Sequence, residues 1–160
     1  MSPRALLLAL TLAAGCGEQL LEHDPLAEPG SDEDKDGLAF EAELDLGTDP
    51  GDPDSDGDGL LDGAEVEQET DPADADTDHD GLGDLVEQRF GTDPRNPDSD
   101  GDTLTDGFEV SQGTEPGRAD TDYDGIEDGL ELALGLDPLD SDSDDDGMLD
   151  GEDPDPRQPS

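Results

Sequence analysis

Six groups of aspartates recur along this 160-residue chain, each spaced so that several carboxylates can close on one point. The groups open at Asp32, Asp54, Asp76, Asp98, Asp120 and Asp142, always 22 residues apart. Counting each opening Asp as position 1, acids follow at positions 3 and 5. These are Asp34 and Asp36, Asp56 and Asp58, Asp78 and Asp80, Asp100 and Asp102, Asp122 and Asp124, and Asp144 and Asp146. Position 9 carries Asp62, Asp84, Asp106, Asp128 and Asp150 in the second to sixth copies. Position 12 carries Glu43, Glu65, Glu87, Glu109, Glu131 and finally Asp153. Alternate carboxylates on a curling backbone converge, and a long acid at position 12 reaches back to meet them. That is chemistry for ligating a hard cation through oxygen.

The pattern is that of a 12-residue EF-hand-like calcium loop, with oxygen ligands at positions 1, 3, 5, 9 and 12 and glycine at the sharp turn of position 6. Position 7 contributes its backbone carbonyl, which leaves the side chains of Leu38, Leu60, Leu82, Leu104, Ile126 and Met148 free to pack elsewhere. Calcium takes six to eight oxygens in flexible geometry, whereas magnesium demands a stricter octahedron with retained waters. Zinc is disfavoured, because two His and one Cys are far from the softer ligand sets it prefers. The plain alternative is a solvated, disordered acidic tract. Composition alone does not hold six copies in one register with an acid at every position 12.

The copies are unequal. The second, third and fifth keep every ligand, with Gly59, Gly81 and Gly125 at the turn. The first has Phe40 at position 9, a position often served through water, so its site can survive. The fourth has Thr103 where glycine is expected. A β-branched residue at positive φ is strained by roughly 1–3 kcal/mol, which predicts a weakened or reshaped loop. The sixth ends in the shorter Asp153, and Pro154 and Pro156 block a following helix.

The first five loops each lead towards a turn of the form Gly-Thr-Asp-Pro. Full copies are Gly47-Thr48-Asp49-Pro50 and Gly91-Thr92-Asp93-Pro94; degenerate ones occupy 69–72, 113–116 and 135–138. Loop and turn together resemble the bacterial form of the thrombospondin type 3 repeat, over residues 32–153. The resemblance implies extracellular calcium-binding modules whose fold depends on the metal. It implies stalks, spacers or adhesive surfaces, and no catalytic activity.

The elements that must position these ligands are sparse. The formal charge is −44, and 28% of residues are hydrophobic and 2% aromatic, so an ordinary globular core cannot be built. The expected fold is a mostly irregular, metal-stabilised repeat array with little hydrophobic core. Its six 22-residue units each consist of a calcium loop, a short α-helix and a turn. In the third copy residues 84–90 can form about two helical turns, capped by Gly91. Leu82, Val86 and Phe90 then share a face, as do Ile126, Leu130 and Leu134 in the fifth copy. These stripes are expected to form a thin core between repeats, stacked one on the next. Helices this short do not stand alone in water, so metal binding must supply much of the folding free energy. Asp49, Asp71 and Asp93, or Asp52, Asp74 and Asp140, either complete a second ion between copies or shape turns.

Residues 1–15 carry a different message. Arg4 precedes an apolar run over 5–14, too short to span a bilayer, which reads as a secretory signal. The end of the run, Ala13-Ala14-Gly15-Cys16, resembles a bacterial lipobox. That resemblance implies cleavage before Cys16 and lipidation of its thiol. Acyl chains would anchor the protein in a lipid bilayer; Gly17 after the cysteine resembles sorting to the outer membrane or cell surface. Residues 16–31 read as the lipidated cysteine and a flexible tether, with Pro25, Pro29 and Gly30. Residues 154–160 read as a disordered tail.

No catalytic constellation is present. His23 lies in the tether and His79 at a variable loop position, and neither accompanies a nucleophile. Nucleic acid is excluded by charge. The sequence therefore points to a calcium-stiffened surface lipoprotein acting as stalk, spacer or adhesive surface. The alternative is an extracellular calcium sensor or buffer that binds a protein partner when loaded.

Overall fold

The computed structural model describes residues 30–159. The signal segment, Cys16 and the tether as far as residue 29 lie outside the described residues. Five helices of seven residues each follow one another: α1 Phe40–Leu46, α2 Asp62–Gln68, α3 Asp84–Phe90, α4 Asp106–Gln112 and α5 Asp128–Leu134. No strand occurs among the described residues. Every helix begins at position 9 of its copy, as the sequence of the third copy predicts.

The helices are placed by their ends. Each has acids in its first turn, which suits the positive end of the helix dipole. Each stops at a residue in the left-handed region, Gly in four copies and Glu69 in α2, whose N–H returns to the carbonyl of the position-12 glutamate. The Thr48 N–H reaches the same Glu43 carbonyl at 3.1 Å. The chain then turns on Asp49, whose Oδ1 accepts from the Gly51 N–H at 3.2 Å; Asp71, Asp93 and Asp137 do likewise. The turn-shaping role of these aspartates is thus visible in the hydrogen bonds. In the sixth copy only turns follow position 9. Residues 154–159 form further turns, and Arg157 Nη1 donates to the Leu134 carbonyl at 3.0 Å.

Burial departs from the expected apolar core. Leu82 is buried, but Phe90 and Leu130 are each 51% exposed, and Leu134 lies open as well. Among the described residues only Leu60, Leu82 and Leu136 are buried hydrophobics. The reason is the helix face that turns inward. Positions 9 and 12 are three apart on one face, and both are fully buried from α2 to α5. Of the apolar stripe, Leu82 at position 7 is buried, whereas Leu130 at position 11 and Phe90 and Leu134 at position 15 are exposed. Helix-to-helix packing is nearly absent among the described residues.

Repeats are joined instead through their loops. The position-10 amide of each copy donates to the position-5 carboxylate of the copy before. The bonds are Gly63 to Asp36 (3.0 Å), Leu85 to Asp58 (3.1 Å), Gly107 to Asp80 (2.7 Å), Gly129 to Asp102 (2.8 Å) and Gly151 to Asp124 (3.2 Å). This bond recurs at every junction between the same two positions and helps set the register of the array.

Candidate metal centres

Each loop is wound by its own carboxylates. Asp32 Oδ1 accepts from the Lys35 N–H at 2.7 Å, and Asp120 Oδ1 from Tyr123 at 2.7 Å. At position 3 one oxygen accepts from the position-5 amide in all six copies, at 3.0–3.4 Å. At position 5 one oxygen accepts from the position-7 amide, at 2.6–2.9 Å. These bonds curl the backbone and turn the remaining oxygens to the centre.

At position 3 the second oxygen has no protein partner. Oδ2 of Asp34, Asp56, Asp78, Asp100, Asp122 and Asp144 is buried and makes no hydrogen bond. Both carboxylate oxygens of Glu43, Glu65 and Glu131 are in the same state, as is Oε2 of Glu87 and Glu109. All five glutamates are fully buried. Buried carboxylates left without donors are costly, and their regular recurrence makes them candidate ligands for a cation. The acids of the first four loops, Asp32/Asp34/Asp36, Asp54/Asp56/Asp58, Asp76/Asp78/Asp80 and Asp98/Asp100/Asp102, each bring carboxylate oxygens within 4.8 Å of one another.

Electrostatics agree with the geometry. Burial, and then the crowd of neighbouring aspartates, pushes the Glu43 carboxyl up to about 7. The same causes push Glu65, Glu87, Glu109 and Glu131 up to about 8. Asp78, Asp100 and Asp122 rise to about 6, again chiefly through burial. A hard cation with six to eight oxygen ligands fits this donor set; bound there, it would neutralise the buried charge.

Position 9 departs from the loop pattern. Its consensus role is in its own loop, yet Asp62 lies with Asp36 and Glu43 of the preceding copy, their carboxylate oxygens within 4.8 Å of one another. Position-9 aspartates of both copies add to the burial that raises the glutamates: Asp62 and then Asp84 at Glu65, Asp106 and then Asp84 at Glu87, Asp106 and then Asp128 at Glu109, Asp128 and then Asp150 at Glu131. Within its own copy Asp62 is held by Ser55. Oδ1 accepts from the Ser55 N–H and Oδ2 from the Ser55 hydroxyl, both at 2.7 Å. The Ser55 Oγ in turn accepts from the Asp49 N–H at 2.9 Å. Thr77 makes the same relay from Asp71 to Asp84, and Thr121 from Glu115 to Asp128.

Sequence reasoning passed over position 2, although a signal was there. It is Ser55, Thr77, Ser99, Thr121 or Ser143 in five copies, but Glu33 in the one copy that has Phe40 at position 9. Hydroxyl and carboxylate are lost together. Thr103 also differs from expectation in part. It takes the left-handed conformation at φ 87°, and its N–H still reaches Asp98 Oδ2 at 3.1 Å. The fourth loop is therefore not reshaped; it holds the shape of its neighbours with a strained residue. His79, at position 4, is exposed and bonds the Asp76 carbonyl through Nδ1 at 2.6 Å. Asp142 and Asp146 of the sixth loop are wound like their counterparts, with the Gly147 N–H on Asp142 Oδ2 at 2.9 Å. Asp153 at its position 12 accepts from the Asp155 N–H at 2.8 Å and adds to the charge around Asp144.

The bacterial TSP3 repeat matches residues 54–75, 76–97, 98–117 and 120–141, together just over half the chain. The chain belongs to the bacterial TSP3 repeat family. The matches begin at position 1 of each loop and take in the second to fifth copies, whereas the first and sixth, which bear Phe40 and Asp153, fall outside them. Neither the curated proteins nor the solved structures contain a significant match. TSP3 repeats are structural metal-binding units rather than an enzyme family, in keeping with carboxylates arranged here as a cation cage. No helix among the described residues is long and apolar enough to cross a membrane.

Proposed function

We propose that this TSP3-repeat chain is a calcium-binding surface lipoprotein. Its ion-filled repeats stiffen a stalk, spacer or adhesive surface, and its anchor is an acylated Cys16 in the bacterial outer membrane or cell surface. One observation carries the metal-dependent part: among the described residues the largest fully buried side chains are the position-12 glutamates Glu43, Glu65, Glu87, Glu109 and Glu131, and each has at least one carboxylate oxygen without a protein donor. A chain with so few buried hydrophobics needs another source of folding free energy, and metal binding is that source. Hard oxygen ligands and an exported location both favour calcium, which extracellular modules bind at roughly 10⁻⁴–10⁻³ M.

Circular dichroism and small-angle scattering with and without calcium test this reading. Calcium should order and compact the chain with an extracellular-range midpoint; an unchanged, expanded chain in millimolar calcium would sink it. The anchor has its own test. Metabolic labelling with a fatty acid should mark the wild-type chain and not Cys16→Ala, which should leave the membrane fraction. Labelling that survives the substitution would remove the lipid from the proposal.

A partner-binding sensor is the second reading. It is favoured by Leu130 and Leu134, one helical turn apart on α5 and both exposed. Calcium-dependent capture of one defined surface protein, lost on Leu130→Ser, would support it.

A further inference from the structure

We infer that the position-9 aspartate ligates the ion of the preceding repeat, so that Asp62 of the second copy completes the site of Asp32, Asp34, Asp36 and Glu43. This rests on the calcium-binding reading and assigns its ligands differently from the loop consensus. Three observations carry it. Asp62 shares one cluster with Asp36 and Glu43 from the first copy. Glu43 is fully buried, with neither oxygen hydrogen-bonded, in that cluster. The Gly63 N–H, next in sequence to Asp62, is fastened to Asp36 at 3.0 Å, which fixes the distance between the two copies.

The bonds from Ser55 do not compete with this role. Each Asp62 oxygen accepts one hydrogen bond and keeps a second lone pair for a cation. Ser55 is then a positioning residue, orienting a ligand as outer-shell donors commonly do.

The assignment explains both ends of the array. The first copy has no predecessor to serve, so Phe40 replaces the aspartate and Glu33 the hydroxyl at no cost to the first site. The sixth copy keeps Asp150 because the fifth site needs it: the neighbouring Gly151 N–H is fastened to Asp124 at 3.2 Å, and Asp150 Oδ2 is buried without a hydrogen bond. In the sixth copy the position-12 Asp153 accepts from the Asp155 N–H. Sites one to five are composite, and filling one fastens two repeats together.

The test is a calcium titration of the full chain labelled with ¹⁵N, following the amides of Gly37, Gly59 and Gly81 as reporters of loops one, two and three. Asp62→Asn should move the loop-one midpoint to about tenfold higher calcium or more, with a much smaller effect on loop two and none on loop three. Phe40→Asp should leave loop one unchanged. Asp150→Asn, far from the first junction, should weaken loop five at Gly125 and spare loop six at Gly147. Loss confined to loop two in Asp62→Asn, equal loss in both loops, or tighter binding by Phe40→Asp would each overturn the assignment. If the wild-type loops do not titrate, the calcium reading falls with it; if they titrate and Asp62→Asn leaves loop one alone, only the cross-repeat ligand falls.

Discussion

The Gly63 amide donates to Oδ2 of Asp36, a residue 27 positions earlier, at 3.0 Å. The same oxygen-to-amide link recurs at each of the following junctions. It couples a metal-loop acid of one copy directly to the first turn of the next helix. A loop that moves to accept an ion therefore moves its neighbour, as expected for an array held by nearest-neighbour contacts.

That junction is tight enough to test with a single methyl group. A Cβ on Gly63 would lie 2.3 Å from the Asp36 carbonyl oxygen, so Gly63→Ala must push the two copies apart. The expected cost is about 1–3 kcal/mol, read as a lower melting temperature in saturating calcium. The third copy carries Leu85 at this position and keeps its 3.1 Å bond to Asp58, so Leu85→Gly should not improve stability. An unchanged melting temperature for Gly63→Ala would show that the junction is soft.

The fourth loop offers the opposite change. Thr103 occupies φ 87° at a position that is glycine in the other five copies. Thr103→Gly should relieve strain of roughly 1–3 kcal/mol, less the added flexibility of glycine in the unfolded chain. The net expectation is a more stable loop and tighter calcium binding, visible as a lower midpoint for the Gly101 amide. Weaker binding by the glycine variant would mean that Thr103 contributes a contact of greater value than the strain it causes.

What the sequence revealed was what depends on local spacing. The 22-residue register, the carboxylates at positions 1, 3, 5 and 12, and the helix over 84–90 with its Gly91 stop follow from short-range rules. What it concealed was set by the relation between copies. Position 9 looks local in a 12-residue loop, but Asp62, while bonded to Ser55 of its own loop, also lies beside Glu43 of the copy before. The apolar residues Leu82, Val86 and Phe90 have helical spacing, yet spacing alone cannot say which face turns inward. Here the buried face belongs to Asp84 and Glu87, because a cluster of carboxylates rather than an oily layer lies inside. The pairing of Glu33 with Phe40 was the one legible trace of the cross-repeat arrangement.

Calcium binding should depend on pH in a defined direction. In the calcium-free fold Glu43 titrates near 7 and Glu65, Glu87, Glu109 and Glu131 near 8, against an ordinary 4.5. Between 4.5 and 8 the folded chain then holds more protons than the unfolded one. Stability of the calcium-free fold consequently falls as pH rises through that window. The ion needs these groups ionised, so its binding releases protons and its affinity falls as pH drops from about 8 to about 6. Calorimetry in two buffers of different ionisation enthalpy measures the released protons; equal affinity at both pH values with no proton release would contradict the buried, protonated state.

The position-2 hydroxyl can be isolated from the metal ligands themselves. Thr77 Oγ1 accepts from the Asp71 N–H at 2.9 Å and donates to Asp84 Oδ2 at 2.7 Å. Thr77→Val keeps the volume and β-branching but removes both bonds. Asp84 is fully buried, so losing a donor there costs about 1–3 kcal/mol; the Asp71 amide is exposed and can turn to water. Thr77→Ser keeps the hydroxyl, as the second copy does with Ser55, and should behave nearly as wild type. Hydrogen exchange in saturating calcium separates two explanations of any loss. If the hydroxyl acts by holding Asp84, protection should fall at the Thr77 amide, which donates to Asp84 Oδ1 at 2.9 Å, and at Leu85 across the junction to Asp58. Loss at Asp71 alone would limit the hydroxyl to shaping its turn.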